Sequence, residues 1–300
     1  MAYFKRITAF VLAVFMVFTL SSCKKAPDVE EASTDINNTS AIVEGSVSEI
    51  QSTVYEFSED KLFEVNSISE LLKTHKSVKV IDKHDGTENI QQFFLYDGKT
   101  VFAQKWTGKN GNTLTEGWIK GFFVEYSDGQ YNASVNVNEF TGADAECPYD
   151  GAITLAISEY KIELIDETAD SFILSLSFEG QSDDVIHKCT VDKKTHAVTN
   201  IRYETSDGYT AITDCVYNED VDDFGLTKGF DDTKTVTMHI HIVKDGKEEN
   251  KTVEYKVPSE WVLTPLLYDY TLYSNAEYTQ LFEYPGHGKD YTIYVTNLKG

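Results

Sequence analysis

Apolar and polar positions follow different periods along this chain, and each change of period marks a segment. Ile7 to Leu20 is an uninterrupted apolar run behind Lys5 and Arg6, and Lys24 to Asn38 is polar and free of aromatic residues. Val43, Val47, Ile50, Val54 and Phe57 then recur at steps of four and three. With Ser46 and Glu49 placed as a capping box, this spacing predicts a helix over 47–57. A second Ser-x-x-Glu, Ser67 to Glu70, predicts a short helix through Leu71, Leu72 and His75.

From Ser77 the period becomes two. Asp-Gly pairs at 85–86, 97–98, 128–129, 207–208 and 245–246 separate alternating or aromatic-rich runs, which predicts β-hairpins. Taken as two-residue turns, the first two place Val78, Phe93 and Phe102 in one cross-strand row. Residues 117–126 and 130–137 read as a further hairpin, and Pro148 followed by Ile153, Ala156, Ile157 and Tyr160 reads as one helix over 149–160. A meander follows over 161–165, 172–178, 185–191, 197–203 and 209–217, with Phe172, Leu174, Leu176 and Phe178 on one face. The acidic run 219–223 and the glycine-containing segment to Gly229 read as a solvated boundary, and Val236, Met238, Ile240 and Ile242 open a last β unit paired with Val253 and Tyr255. The expected class is α+β: an antiparallel half-barrel sheet with short helices over 46–225, then a small β-rich domain over 233–300.

The run Ile7–Leu20 is too short for a bilayer core that needs ~20 residues, so residues 1–22 read as a secretion signal. It ends in Leu20-Ser21-Ser22-Cys23, which resembles the lipobox of bacterial lipoproteins. The resemblance implies cleavage before Cys23, a diacylglycerol on its thiol, and a membrane partner held through that lipid anchor on the extracytoplasmic face. Residues 23–45 would then be the lipidated tether. Acyl chains such as palmitate contribute ~0.8 kcal/mol per buried methylene, and two or more hold a domain stably.

Composition narrows the partners. With 26 basic and 49 acidic residues the formal charge is −23, and loss of Lys5 and Arg6 makes it more negative; nucleic acid is excluded as a partner. Besides Cys23 there are Cys147, Cys189 and Cys215, with no CxxC, so this is no disulfide scaffold. The turns at 192–195 and 207–208 set Cys189 opposite Val198 and Val198 opposite Cys215. One intervening strand would keep the two sulfurs apart.

No G-x-S-x-G, H-E-x-x-H, phosphate-binding glycine loop or EF-hand spacing is present, so neither an enzyme nor a cofactor is expected. Ser58-Glu59-Asp60-Lys61 matches S-x-x-K without its companion elements. His239 and His241 share one face of a strand, opposite Thr252 and Asn250 and diagonal to Glu254, a geometry open to a metal but more simply a solvated polar face.

The segment 189–221, CTVDKKTHAVTNIRYETSDGYTAITDCVYNEDV, carries a Val191-Asp192-Lys193-Lys194-Thr195 turn and the Asp207-Gly208 hairpin. It resembles the late strands of the lipoprotein-localisation (LolA-like) and related mycobacterial lipoprotein half-barrels. Tyr270–Glu277 and Tyr291–Val295 are similar to small β-grasp-like repeats of Gram-positive surface proteins. The half-barrel resemblance implies a concave face that accepts a lipid or other apolar ligand, with Phe93, Phe102, Phe122, Leu174 and Leu176 as its lining. The 18 Tyr, 17 Phe and 3 Trp serve a filled core equally well. Two functions therefore stand: a non-catalytic lipoprotein that binds an apolar ligand, or a cell-envelope interaction or adhesion module.

Overall fold

The computed structural model describes residues 55–136, 146–178, 180–181, 185–244, 246–266 and 271–297. The helix expected over 47–57 lies almost wholly outside them, and residues 55–58 are not helical. Glu56–Ser177 and Asp183–Gly300 form one compact unit.

Two seven-residue helices come first, α1 (Glu59–Val65) and α2 (Ile68–Thr74). Each begins where a serine hydroxyl accepts an otherwise unpaired backbone N–H: Ser58 from Lys61 and Ser67 from Glu70. The formal S-x-x-K motif is thus a helix cap, with Glu59 and Asp60 favourably placed in the first turn.

Strands β1 (Ser77–His84), β2 (Thr87–Tyr96), β3 (Lys99–Thr107), β4 (Thr113–Ile119), β5 (Phe122–Ser127) and β6 (Gln130–Asn136) form one antiparallel meander. A second comprises β7 (Lys161–Glu167), β8 (Ser171–Ser177), β9 (Ile186–Asp192), β10 (Val198–Glu204) and β11 (Thr210–Tyr217). β11 pairs with β1 and fuses them. With β14 (Val262–Leu266) parallel to β6, the sheet has twelve strands in the order β14-β6-β5-β4-β3-β2-β1-β11-β10-β9-β8-β7. A four-stranded sheet, β13-β12-β16-β15, is built from β12 (Thr233–Lys244), β13 (Lys247–Pro258), β15 (Thr271–Tyr273) and β16 (Tyr291–Thr296). The protein is therefore α+β, a large, mainly antiparallel open sheet with short helices and a smaller second sheet. Through β14 the C-terminal segment also completes the edge of the large sheet.

Four Asp-Gly hairpins close as two-residue turns, pairing His84 with Thr87, Tyr96 with Lys99, Ser127 with Gln130 and Lys244 with Lys247. In the first three, aspartate and glycine both have positive φ, as a type I′ turn requires. The row Val78–Phe93–Phe102 forms as expected and continues to Trp118 and Phe123.

Three expectations are corrected. Residues 117–126 are not one strand. Lys120 and Gly121 turn with φ of 50° and 82°, and Lys120 is held there by Asp97 at 2.7 Å and by the rings of Tyr96 and Phe230, at 5.0 and 4.6 Å. Residues 149–160 form successive turns with a single 3-10 turn, Thr154–Ala156, rather than an α-helix. The Asp150 carbonyl that would support a helix accepts instead from the Ile68 N–H at 2.8 Å, and its carboxylate accepts from the Ser69 N–H at 2.6 Å. Phe178 lies beyond β8 and is exposed.

The cysteine register also shifts. Asp192 Oδ1 accepts from the Lys194 and Thr195 N–H groups and the Thr195 hydroxyl, so the Asp-x-x-Thr segment is an Asx-type turn. It hands on to His196 at φ 60°, and the next loop closes Thr205 on Tyr209. Cys189 consequently faces Ile201, not Val198, and Ile201 faces Thr213, so Cys215 is out of that row; on its other side Cys215 faces Val80 of β1. Both are free thiols, buried in the same core with β10 between their strands.

The helices cover one face of the large sheet, and the second sheet covers the other face over β2 to β6 and β14. On one, α1, α2, Ile153 and Ile157 pack over Val78, Phe93, Phe102, Phe172, Leu174, Leu176, Cys189 and Val198. On the other, Val236, Met238, Ile240 and Ile242 of β12, with Ile293 and Val295 of β16, cover Val101, Ala103, Ile119, Phe122, Val124 and Ala133. The acidic run is not a free linker. Gln92 accepts from the Asp222 N–H at 3.0 Å and donates to its carbonyl at 2.6 Å, and Leu226 is fully buried where a side chain on Gly117 would collide with it.

The helical cover is fastened by Asn66, itself without solvent exposure. Its amide donates to the carbonyls of Leu62 at 2.7 Å and His196 at 2.9 Å, and its oxygen accepts from the Val198 N–H at 2.8 Å. Asn66→Ala leaves buried backbone groups unpaired, and the cost expected is about 3 kcal/mol, read as a lower urea midpoint with unchanged slope. A loss below about 0.5 kcal/mol would show that the cover is held otherwise.

Candidate functional site

The five side chains expected to line a ligand cavity do not form one surface. Phe93, Phe102, Leu174 and Leu176 belong to the helix-side core, at 0–2 % exposure, whereas Phe122 is in the core between the sheets. Phe122 follows the opposite parity because the row through Phe102 passes through Phe123, and neighbours along a strand point to opposite faces. Its ring stands edge-on to Tyr255 at 5.8 Å and Trp261 at 6.4 Å. On the helix side, Phe93 and Phe102 lie 5.2 Å apart and Tyr149 of the crossover covers Phe102 at 4.1 Å. Protein side chains thus occupy the space an apolar ligand would take. Cys23 lies outside the described residues.

Two residues along from the aromatic row, the same sheet face turns polar. Gln91, Gln104, Glu116, Glu125 and Asn132 pair across five strands. The Gln104 amide donates to Glu116. Burial pushes the Glu116 carboxyl up to about 7, opposed by the Gln104 bond and reinforced by the charge of Glu125. On β1, burial likewise raises Asp82, against the Thr213 hydroxyl that donates to it at 2.6 Å. Nearby Asn89 Oδ1 is buried without a hydrogen-bond partner among the described residues. Sequence reasoning passed over this row, although the Asp97-Gly98 register that pairs Phe93 with Phe102 also pairs Gln91 with Gln104. Glu116 bonds an amide, not a base or nucleophile, so the row suits reversible protonation or polar contact.

A second buried titratable group lies on β9. His187 is 5 % exposed, edge-on to Tyr160 at 4.5 Å and Tyr203 at 5.4 Å, and burial lowers it to about 4.

On the small sheet, His239 and His241 fall opposite Thr252 and Asn250 as expected. His239 Nδ1 meets the Thr252 hydroxyl at 2.8 Å, and His241 Nε2 meets Glu248 at 2.8 Å. Among the described residues no group of three His, Cys, Asp or Glu is arranged to hold a metal ion. A hollow of about 190 Å³ lies here, lined by His239, Ile240, His241, Asn250, Lys251, Thr252 and Tyr278, and an open cleft of about 380 Å³ lies at the tip of the β1–β2 hairpin. Among the described residues no helix is long and apolar enough to cross a membrane.

No family model matches the sequence, and no curated protein matches it. Solved structures similar to the chain include the lipoprotein LppX of Mycobacterium tuberculosis, at 9 % identity and TM-score 0.33, over 55 % of this chain and 98 % of that one. LprF of Mycobacterium bovis is similar at 8 % identity and TM-score 0.32, over 55 % and 96 %. A LolA-superfamily protein of Nitrosomonas europaea is similar at 10 % identity and TM-score 0.21, over 58 % and 99 %.

The two buried groups give opposite pH dependences. Glu116 binds a proton more tightly folded than unfolded, so its contribution to stability falls as pH rises from about 4.5 to about 7. His187 binds a proton less tightly folded, so its contribution falls as pH drops from about 6.5 to about 4. Glu116→Gln is expected to gain stability relative to the parent through the first window, by about 3 kcal/mol at its alkaline end, and none below it. His187→Gln should diverge only in the second window. Unfolding free energies across pH 4–8 check both, and difference curves flat in pH would refute them.

Proposed function

We propose that this protein is a non-catalytic lipoprotein, held at Cys23 on the outer face of a membrane, which binds its partners through outer surfaces of a closed body. The anchoring rests on Leu20-Ser21-Ser22-Cys23 behind an apolar run that follows Lys5 and Arg6. The observation that supports surface binding is the occupancy of the interior: Phe93, Phe102, Leu174 and Leu176 have 0–2 % of their surface exposed. A ligand seated on them would have to displace the protein's own helices.

A second reading, an apolar ligand or lipid beneath those helices, is favoured by how little covers that face: two seven-residue helices and a crossover containing one 3-10 turn. Here the ligand would replace α1 and α2 over Phe93, Phe102, Leu174 and Leu176, and opening would break the two hydrogen bonds that tie Asn66 to His196 and Val198.

Native mass spectrometry of the chain purified in mild detergent separates the two. Polypeptide with one anchor and no additional lipid is expected, together with no uptake of an apolar fluorescent probe. One further lipid per chain would establish the second reading. Cys23→Ala is expected to abolish labelling with palmitate and release from the membrane any chain that is processed; label persisting in that variant would refute the anchor.

A further inference from the structure

The outward face of the small sheet carries a row that the core does not require. Thr252 pairs with His239, His239 with Tyr294, and Tyr294 with Tyr273, so one line of side chains crosses β13, β12, β16 and β15. The inward residues of the same strands, Met238, Ile240, Ile293 and Val295, are already sealed at 0–2 % exposure. His239 and Tyr294 stack at 4.8 Å with 23° between their planes.

A fourth aromatic ring is brought to this row by a loop that holds an unfavourable backbone to do so. Tyr278 sits at φ 54°, a region bulky side chains rarely adopt. Asn275 fixes it: its side-chain oxygen accepts from the N–H groups of Thr279 at 3.1 Å and Gln280 at 2.9 Å, and its amide donates to Glu277 at 2.8 Å and the Thr279 hydroxyl at 2.7 Å. The Tyr278 N–H donates to the Asn275 carbonyl at 3.1 Å. The phenol ring thereby stands nearly perpendicular to Tyr273 at 5.6 Å and to Tyr294 at 6.4 Å, and 6.1 Å from His241.

We infer that this face is a binding site for an uncharged glycan chain, with Tyr278 as its principal contact; the inference rests on the reading that the protein binds through its surfaces. A pyranose ring presents an apolar C–H face and a rim of hydroxyls. The hollow of about 190 Å³ offers both complements, the Tyr278 ring and the hydrogen-bonding groups of His239, His241, Asn250, Lys251 and Thr252. Thr252 and Glu248 each engage one nitrogen of His239 and His241, fixing the ring positions while the second nitrogen of each takes no part in these bonds. One cation, Lys251, lines the hollow and is countered by Glu248, which holds His241, so among the described residues no cluster of positive charge is present to select an anion, and the formal chain charge of −23 disfavours one.

Isothermal titration of the full chain in detergent with chitohexaose and with cellohexaose tests the assignment. Binding of at least one oligosaccharide is expected, weakened at least tenfold by Tyr278→Gly and altered less than about threefold by Tyr278→Phe, which keeps the ring. Because glycine relieves the strained φ, Tyr278→Gly should melt at the same temperature as the parent or higher. A sharply lower melting temperature would make the ring structural and overturn the inference, as would the absence of heat with both sugars. If neither sugar binds and the apolar probe does, the surface-binding reading falls too; if neither sugars nor probe bind, only the glycan assignment falls.

Discussion

β3 is covered from both sides, and the rest of the fold is arranged to keep it so. Val101, Phe102, Ala103 and Gln104 are consecutive and all buried, which an ordinary half-exposed strand would not permit. Phe102 needs the helices and the crossover tyrosine; Val101 and Ala103 need the second sheet. Opposite Ala103, Gly117 leaves the space filled by Leu226, so the segment between the sheets is drawn down onto the large one. Removing either layer would leave an apolar surface exposed along several strands.

This double covering shapes the possible functions. A lipid-binding half-barrel needs an apolar face left partly open, and here that face is divided. Beneath the helices it is apolar and full; two residues further along each strand it carries Gln91, Gln104 and Glu116. The small sheet contributes twice, with one face sealing the large sheet and the other bearing the His239–Tyr294 row. Surfaces therefore remain the accessible chemistry, and the Tyr278 loop adds a further ring to one of them.

Much of the fold was legible in the sequence because Asp-Gly turns transmit register: the pair at 97–98 alone fixes Phe93 against Phe102. Turns without that dipeptide were missed or misregistered, and so was the Asp-Gly pair at 207–208, whose loop closes Thr205 on Tyr209. Lys120-Gly121 is stabilised by Asp97 and two aromatic rings distant in sequence, information no local window contains. The Asp192–His196 turn is set by a side-chain hydrogen-bond network and shifted the cysteine rows. The crossover had a helical apolar period, but Asp150 spends its hydrogen bonds on α2. The site was least legible, since apolar residues read as ligand-lining are equally what a packed core requires. Only the pairing of His239 with Thr252 and of His241 with Asn250, set by an Asp-Gly register, was foreseen, and the approach of Tyr278 depends on a loop.

Hydrogen–deuterium exchange of the full chain, with and without phospholipid vesicles, tests the closed interior most directly. The account predicts slow exchange across Glu59–Val65 and Ile68–Thr74, comparable with Lys99–Thr107 and unchanged by vesicles. Accelerated exchange confined to the two helices when vesicles are added would contradict it, because the cover would then be a lid.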